Sequence, residues 1–352
     1  MSAEIPIRGR GASGNPVNRF EEVRIERDED WNPLNDPAPQ TRFYRDASRT
    51  VINYNDSPDL GFGASLNPYR GCEHGCIYCY ARPTHEFLGF SAGLDFETRI
   101  MVKEDAPELL EAELSKPSWK PQFIALSGVT DPYQPVERKL RLTRRCLEIL
   151  AKFRNPVGII TKNHLVTRDI DILREMARYS AVSVHLSITT LDRSLASRLE
   201  PRTSLPEHRL DAIKQLSEAG IPAGVMVAPT IPGLNDHEML SILKAAAAVG
   251  ARTAGYVVLR LPLGVAPMFE SWLEQHYPAR KEKVLNQIKS LRHGKLNDST
   301  FGERMKGDGP LAEQIQRVFE VGCRKAGLAD RHFDLSVGAF RRPSGPQLLL
   351  FP

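Results

Sequence analysis

The chain has 352 residues, 41% of them hydrophobic, with a formal net charge of +4. These values fit one large α/β domain or two small ones and exclude a wholly disordered chain, while the mild basic excess permits nucleic-acid binding without arguing for it. Five cysteines in such a length do not make a disulfide scaffold.

The N-terminus lacks the apolar core of a signal peptide, and no apolar run of about 18 residues occurs, so the expectation is a soluble cytoplasmic protein with no membrane partner. Residues 1–60 are polar and rich in proline and asparagine, without sustained periodicity, and read as an irregular arm. Within it, Arg8-Gly9-Arg10-Gly11 reads as a solvated tail, with phosphate contact the alternative.

From residue 64 strand and helix alternate. Short apolar runs stand at Ala64–Tyr69, Phe123–Ser127, Val157–Thr161, Val182–Ile188, Ala223–Ala228 and Gly255–Leu259. Such β-branched runs without polar alternation predict parallel strands buried on both faces. Helices are predicted at Glu108–Leu114, at Leu140–Phe153 and through Ile170, Leu173 and Ala177. In the second of these, Leu142, Cys146 and Leu150 share one face, which makes Cys146 a packed core thiol. Ser204-Leu205-Pro206-Glu207 has capping-box spacing and opens a helix that closes at Gly220, and Asp236 is placed to cap the next, which runs to Gly250. Successive βα units imply a parallel sheet, either doubly wound or an open partial barrel. The expected divisions are an arm over 1–60, a core over 61–265, a helical extension over 266–327 that contains a structural Cys323, and a tail over 328–352.

Cys72, Cys76 and Cys79 lie in the run Arg70-Gly71-Cys72-Glu73-His74-Gly75-Cys76-Ile77-Tyr78-Cys79-Tyr80. Three thiolates at CxxxCxxC spacing can hold three irons of a four-iron cluster and leave the fourth open to a small molecule. Structural zinc is the competing reading, but it needs four ligands, and only His74, inside the same tight loop, is at hand. The cysteine spacing with Tyr78 before the third thiol resembles the signature of the radical S-adenosylmethionine (radical SAM) enzymes. The resemblance implies a [4Fe-4S] cluster on the cysteines, S-adenosylmethionine on the open iron and Tyr78 beside the adenine. It also decides the fold expectation in favour of an α/β open (β/α)6 partial TIM barrel, because the loop follows the first strand. In the family's chemistry the reduced cluster cleaves the cofactor and the resulting 5′-deoxyadenosyl radical abstracts a hydrogen atom from substrate.

The strand ends then supply cofactor-binding candidates. The turn Ser127, Gly128 and Thr130 matches in position one that bonds the cofactor's amino group. Lys162 and Arg202 are candidates for its carboxylate, Ser187 and Thr189 for the ribose, and the loop Pro229–Gly233 for the adenine. The bland reading of each is a loop cap or a solvated charge.

The wording Asn67-Pro68-Tyr69-Arg70-Gly71-Cys72, with Thr130-Asp131-Pro132-Tyr133-Gln134-Pro135, resembles the branch that contains spore photoproduct lyase. That lyase returns a hydrogen atom from a cysteine just beyond the second strand. Residues 127–137 have none here, which makes Tyr133 the candidate donor and leaves the substrate open. The tail Gln347-Leu348-Leu349-Leu350-Phe351 resembles the peptide by which bacterial repair proteins dock on the sliding clamp, and a packed terminal strand is the alternative. The partners expected are a flavodoxin or ferredoxin as electron donor, a clamp and a nucleic acid. A radical SAM enzyme of small molecules or proteins, and a non-catalytic iron–sulfur sensor, are the competing functions.

Overall fold

The structure, a computed structural model, describes residues 6–20, 39–328 and 333–343. Two short strands form inside the stretch expected to be irregular, β1 (Arg42–Arg45) and β2 (Ile52–Tyr54). Their shortness and polar, largely exposed faces hide them from periodicity. β3 (Ala64–Leu66) and β4 (Tyr69–Arg70) follow, separated by Asn67-Pro68. Helix α1 (Leu94–Thr98) runs straight into β5 (Arg99–Val102), and α2 (Ala106–Ser115) comes next.

Alternation then sets in with β6 (Ile124–Leu126), the short α3 (Glu137–Leu140), α4 (Leu142–Phe153), β7 (Val157–Thr161), α5 (Ile170–Ala177) and β8 (Val182–Ser187). It continues through α6 (Arg193–Leu199), α7 (Pro206–Glu218), β9 (Ala223–Thr230), α8 (Met239–Ala248) and β10 (Thr253–Val258). Helices α9 (Val265–His276), α10 (Lys281–Ser290) and α11 (Pro310–Ala326) follow.

β3, β6, β7, β8, β9 and β10 lie side by side in chain order, all parallel, with β2 antiparallel on the outer edge of β3. This is the open six-stranded parallel arrangement expected for the partial barrel. Leu66, Ile124, Leu126, Ile159, Val184 and Val225 are fully buried along it. Helices cover the outside, and Cys146, Leu147 and Leu150 of α4 are sealed in the core as the helical spacing predicts. On the far side α11 presses on α8, where a Cβ at Gly322 would come within 2.6 Å of Leu243 Cδ1.

Two predicted caps are replaced. Leu205, not Ser204, stands at the N-cap of α7, and the Ser204 hydroxyl instead accepts from His164 N and donates to Asn163 Oδ1. Asp236 accepts from Gly233 N and caps no α-helix. The helix α6, which periodicity missed, is capped by Asp192, whose carboxylate accepts from Ser194 N and Leu195 N.

The feature that places the site is a departure of the chain from the main sheet. After β3, Asn67-Pro68 redirects it, and β4 pairs antiparallel with β5 in a separate small sheet whose other edge is β1. The cysteine run leaves from the end of β4, at the carboxyl side of β3. Parallel α/β sheets gather their ligands at that edge.

Candidate active site

The cysteine loop is clamped from two sides by buried polar groups. Gly71 takes φ +77°, which glycine adopts without strain, and Cys72 N donates to Phe96 O at 2.9 Å. Arg82, fully buried, fans its guanidinium across the loop: Nε to Cys76 O at 2.9 Å, Nη2 to Gly75 O at 3.1 Å and Nη1 to Gly93 O at 2.9 Å. Its charge is met by Glu97 Oε1 at 2.6 Å, and the Glu97 carboxylate also accepts from Gly11 N and Ala12 N of the arm. On the opposite flank, Gln134 accepts from Glu73 N at 2.9 Å and donates to Gly71 O at 3.2 Å. Glu73 in turn accepts from Val136 N at 2.6 Å. Buried polar groups satisfied this fully hold one backbone geometry.

The three cysteines are free thiols, with Cys72 and Cys76 buried and Cys79 partly so. Burial pushes the Cys76 thiol well up, Glu200 adds to the rise and Lys162 opposes it. His74, between the first two cysteines, is fully buried and spoken for: Nδ1 lies 3.3 Å from Asp131 Oδ2, and Nε2 lies 3.1 Å from Asn163 Nδ2. The ring also hydrogen-bonds the Cys72 side chain, so His74 ties the cysteine loop to the turns after β6 and β7. Among the described residues, the group of His, Cys, Asp or Glu whose ligand atoms fall within 4.8 Å of one another is His293, Asp298 and Glu303, not the cysteines. One zinc would draw its sulfurs to about 3.8 Å of each other, given Zn–S bonds of about 2.3 Å. Three soft donors with no fourth ligand gathered beside them among the described residues fit a site-differentiated iron–sulfur cluster better than a closed zinc site.

Beside the loop, a second buried network gathers the mouth residues. The Tyr78 hydroxyl donates to the Glu200 carboxylate and lies 3.3 Å from Thr189 Oγ1. Glu200 is buried and paired with Arg209, with Lys162 Nζ at 3.9 Å. Burial would raise the carboxyl's pKa, but the charges of Arg209 and Lys162 and the hydroxyls of Thr189 and Tyr78 hold it below its ordinary range. Lys162 Nζ donates to Ala228 O at 3.2 Å and stands 6.0 Å from the centre of the Tyr78 ring. Thr189 Oγ1 donates to the same carbonyl at 3.0 Å, and Arg209 Nη1 holds Ser187 O at 2.8 Å. Tyr78, Lys162, Ser187 and Thr189 are thus brought into one network centred on Glu200.

The turn after β6 is set by Asn67, whose Oδ1 accepts from Val129 N at 3.2 Å and Thr130 N at 3.3 Å. Thr130 Oγ1 donates to Tyr69 O at 3.3 Å, and Gly128 O accepts the Tyr80 hydroxyl. Gly128 therefore sits against the cysteine run, while the buried Asn67 Nδ2 has no partner among the described residues.

Two expected residues are not delivered to this network. Tyr133 is fully buried, and its hydroxyl donates to Asp169 at 3.1 Å within the main core, so it faces no substrate space. Arg202 turns the other way, toward Glu73 Oε1 at 3.1 Å and Thr41 Oγ1 at 3.4 Å. Conversely, Asp131, Asn163, Glu200, Arg209, Asn67 and Gln134 support the site although none of them is among the candidates given by the sequence. The sequence signal for Asp131 was its place directly after the Ser127–Thr130 turn; for Glu200 it was a lone carboxylate two residues from Arg202.

The pattern of the Radical SAM superfamily matches residues 66–246, which takes in the cysteine run and both networks. The chain belongs to the radical SAM superfamily. An uncharacterised protein of Mycobacterium tuberculosis (strain ATCC 25618 / H37Rv) is 38% identical over 252 residues, 70% of this chain and 72% of that one. A protein of Pseudomonas phage M6 named Radical SAM Nalpha-GlyT isomerase is 25% identical over 253 residues, 71% of this chain and 50% of its own length. In fold, the chain is similar to a spore photoproduct lyase mutant with bound AdoMet and dinucleoside spore photoproduct, at TM-score 0.58 and 16% identity, over 83% of this chain and 82% of that one. Radical SAM proteins generally bind a [4Fe-4S] cluster and S-adenosylmethionine, and need a reductant. No described helix is long and apolar enough to cross a membrane.

Proposed function

We propose that this radical SAM protein is an enzyme that holds a [4Fe-4S] cluster on Cys72, Cys76 and Cys79, cleaves S-adenosylmethionine reductively and abstracts a hydrogen atom from a nucleic-acid substrate. The observation that carries the cofactor reading is the set of three free thiols on one clamped loop, with the His74 ring engaged by Asp131 and Asn163. Once bound, the cluster and S-adenosylmethionine supply the electron transfer and the hydrogen-abstracting species, and the protein supplies position and dryness. Tyr78, pinned by Glu200, offers a fixed aromatic face for adenine. Thr189 and Ser187 stand for the ribose hydroxyls. Lys162 offers an ammonium for the carboxylate, and Ser127, Gly128 and Thr130 offer polar groups for the amino group. Tyr133, bonded to Asp169, and Arg202, bonded to Glu73, are given no part in this proposal. The arm contributes by packing residues 10–12 on the cysteine loop, where they shield it from water.

The nucleic-acid part is supported by the likeness in fold to spore photoproduct lyase, one structure of which carries a dinucleoside photoproduct. The missing cysteine in 127–137 argues for a different outcome on a related substrate class. Gln347–Phe351, the segment proposed to dock on a sliding clamp, lies outside the described residues. Adding duplex DNA, single-stranded DNA or RNA to the reduced, reconstituted enzyme tests the substrate class. Stimulation of 5′-deoxyadenosine formation by one of them supports the reading, and indifference to all three moves it to a small molecule or a protein. Removing Gln347–Pro352 should abolish clamp binding and leave folding intact.

A further inference from the structure

The six parallel strands form an open arc, with β3 at one end and β10 at the other. A contact at the carboxyl edge joins the two ends. Arg260, two residues beyond β10, lays its guanidinium on the ring of Tyr80, 4.8 Å from the ring centre. Tyr80 follows Cys79 directly, and its hydroxyl donates to Gly128 O in the turn after β6. The pair therefore stands beside the cysteine loop, on the side of the mouth where the arc is open.

Among the described residues Arg260 forms no ion pair. Its Nη1 reaches the Met305 thioether at 3.5 Å, a weak acceptor, and its buried Nε has no partner there. Asp59, the carboxylate that acts on it, is taken by Arg304 Nε at 2.6 Å and Gly302 N at 2.6 Å. Burial lowers the proton affinity of Arg260; Tyr80 opposes the fall, Arg304 adds to it and Asp59 opposes it. A packing role alone would be filled by an apolar side chain, without the cost of a half-buried charge. A guanidinium stacked by its face also keeps its edge for a planar, two-pronged acceptor, as a phosphate offers.

Arg304 repeats the arrangement, with its guanidinium 4.6 Å from the centre of the Phe301 ring. Tyr80 is 45% exposed and Phe301 57%, so both rings keep accessible surface. Cations interleaved with open ring faces hold unpaired nucleotides, the backbone on the charge and the bases on the rings. The network of Tyr78, Lys162, Thr189 and Glu200 proposed for S-adenosylmethionine contains none of these residues.

From this guanidinium at the mouth we infer that Arg260 anchors a backbone phosphate of single-stranded or extruded nucleic acid, with Tyr80 and Phe301 as stacking faces for its bases. The inference rests on the nucleic-acid reading above, and it adds the form of that substrate and the residue that holds it. A base inside a duplex stack can present no face to either ring, so the strand must be unpaired where it meets them.

The test uses the full reconstituted chain and a short fluorescent DNA single strand of mixed sequence, beside the same sequence as duplex, with binding read by anisotropy over a range of salt. The parent should bind the single strand more tightly than the duplex. Arg260→Gln should weaken single-strand binding about ten-fold and lower the slope of log affinity against log salt by about 0.7, the share of one phosphate. Arg260→Lys keeps the charge, so it should keep the slope and recover part of the affinity. Phe301→Ala, at an exposed ring, should weaken binding about five-fold with the slope intact. The iron content of all three variants should equal the parent's. An unchanged affinity or slope in Arg260→Gln, or a parent that prefers duplex, overturns the inference. So does an affinity loss matched by lost iron, which would make Arg260 a support for Tyr80 and the cysteine loop. A parent that binds an acidic peptide and neither form of DNA defeats the nucleic-acid reading itself, and this inference with it.

Discussion

Gly11 is pressed so closely on Gly75 that a Cβ at position 11 would lie 1.7 Å from the Gly75 carbonyl oxygen. A backbone atom cannot swing aside as a flexible side chain can, so Gly11→Ala must lift the arm from the cysteine loop. Stability should fall by about 1–3 kcal/mol, the ordinary range for overpacking. Urea denaturation measures that loss. Faster air oxidation of the reconstituted protein would show that the arm shields the loop, and an unaltered rate would show that it does not.

Arg82 and Glu97 form a fully buried pair that ties the cysteine loop to α1 and the arm. Arg82→Ala strands the Glu97 carboxylate and frees several loop carbonyls. The expected cost is about 3–5 kcal/mol. Arg82→Lys should restore little of it, since an ammonium cannot reproduce a planar fork of bonds to Cys76, Gly75 and Gly93. Chemical denaturation of both variants checks the order.

His74 separates the cluster and zinc readings. Because Asp131 and Asn163 occupy its ring, His74→Gln should keep the iron content of the parent after anaerobic reconstitution while lowering stability. Each of Cys72→Ala, Cys76→Ala and Cys79→Ala should lose the cluster. Iron analysis and the visible absorption of the cluster read this directly. Zinc bound at one equivalent, and lost in His74→Gln as it is in the three cysteine variants, would reverse the assignment.

The parts of this site that were legible in the sequence are those set by local spacing. The three cysteines, the tyrosine before the last of them, the strand succession and the apolar face carrying Cys146 are all written within a few residues of one another. What could not be read depends on long-range closure. His74 meets Asp131 and Asn163 only because β6 and β7 are neighbours, and Tyr78 meets Glu200 across 122 positions of sequence. Tyr133 stands beside the correct turn, yet its ring points into the core toward Asp169. Arg202 follows Glu200 by two residues, and the two side chains serve opposite sides of the cysteine loop: Glu200 meets Tyr78, and Arg202 meets Glu73 and the arm. The strands β1 and β2 were hidden because short polar strands have no periodicity to show.

Lys162 carries a prediction about cofactor affinity. Its ammonium sits at the end of β7, 15% exposed, near Tyr78 and Glu200. Lys162→Ala should weaken S-adenosylmethionine binding by about ten- to a hundred-fold, the worth of a hydrogen bond to a charged group. Iron content should be unaffected. Equilibrium dialysis on the reconstituted variant checks it, and unchanged affinity would assign Lys162 to holding Glu200 alone.

The central claim is that the thiols of one loop carry a cluster that cleaves S-adenosylmethionine. Its most direct test is 5′-deoxyadenosine formation by the anaerobically reconstituted enzyme under dithionite, beside Cys72→Ala, Cys76→Ala and Cys79→Ala. The account predicts product from the parent and none from the three variants. An intact cluster in the parent with no 5′-deoxyadenosine, or product persisting in any of the cysteine variants, would contradict it.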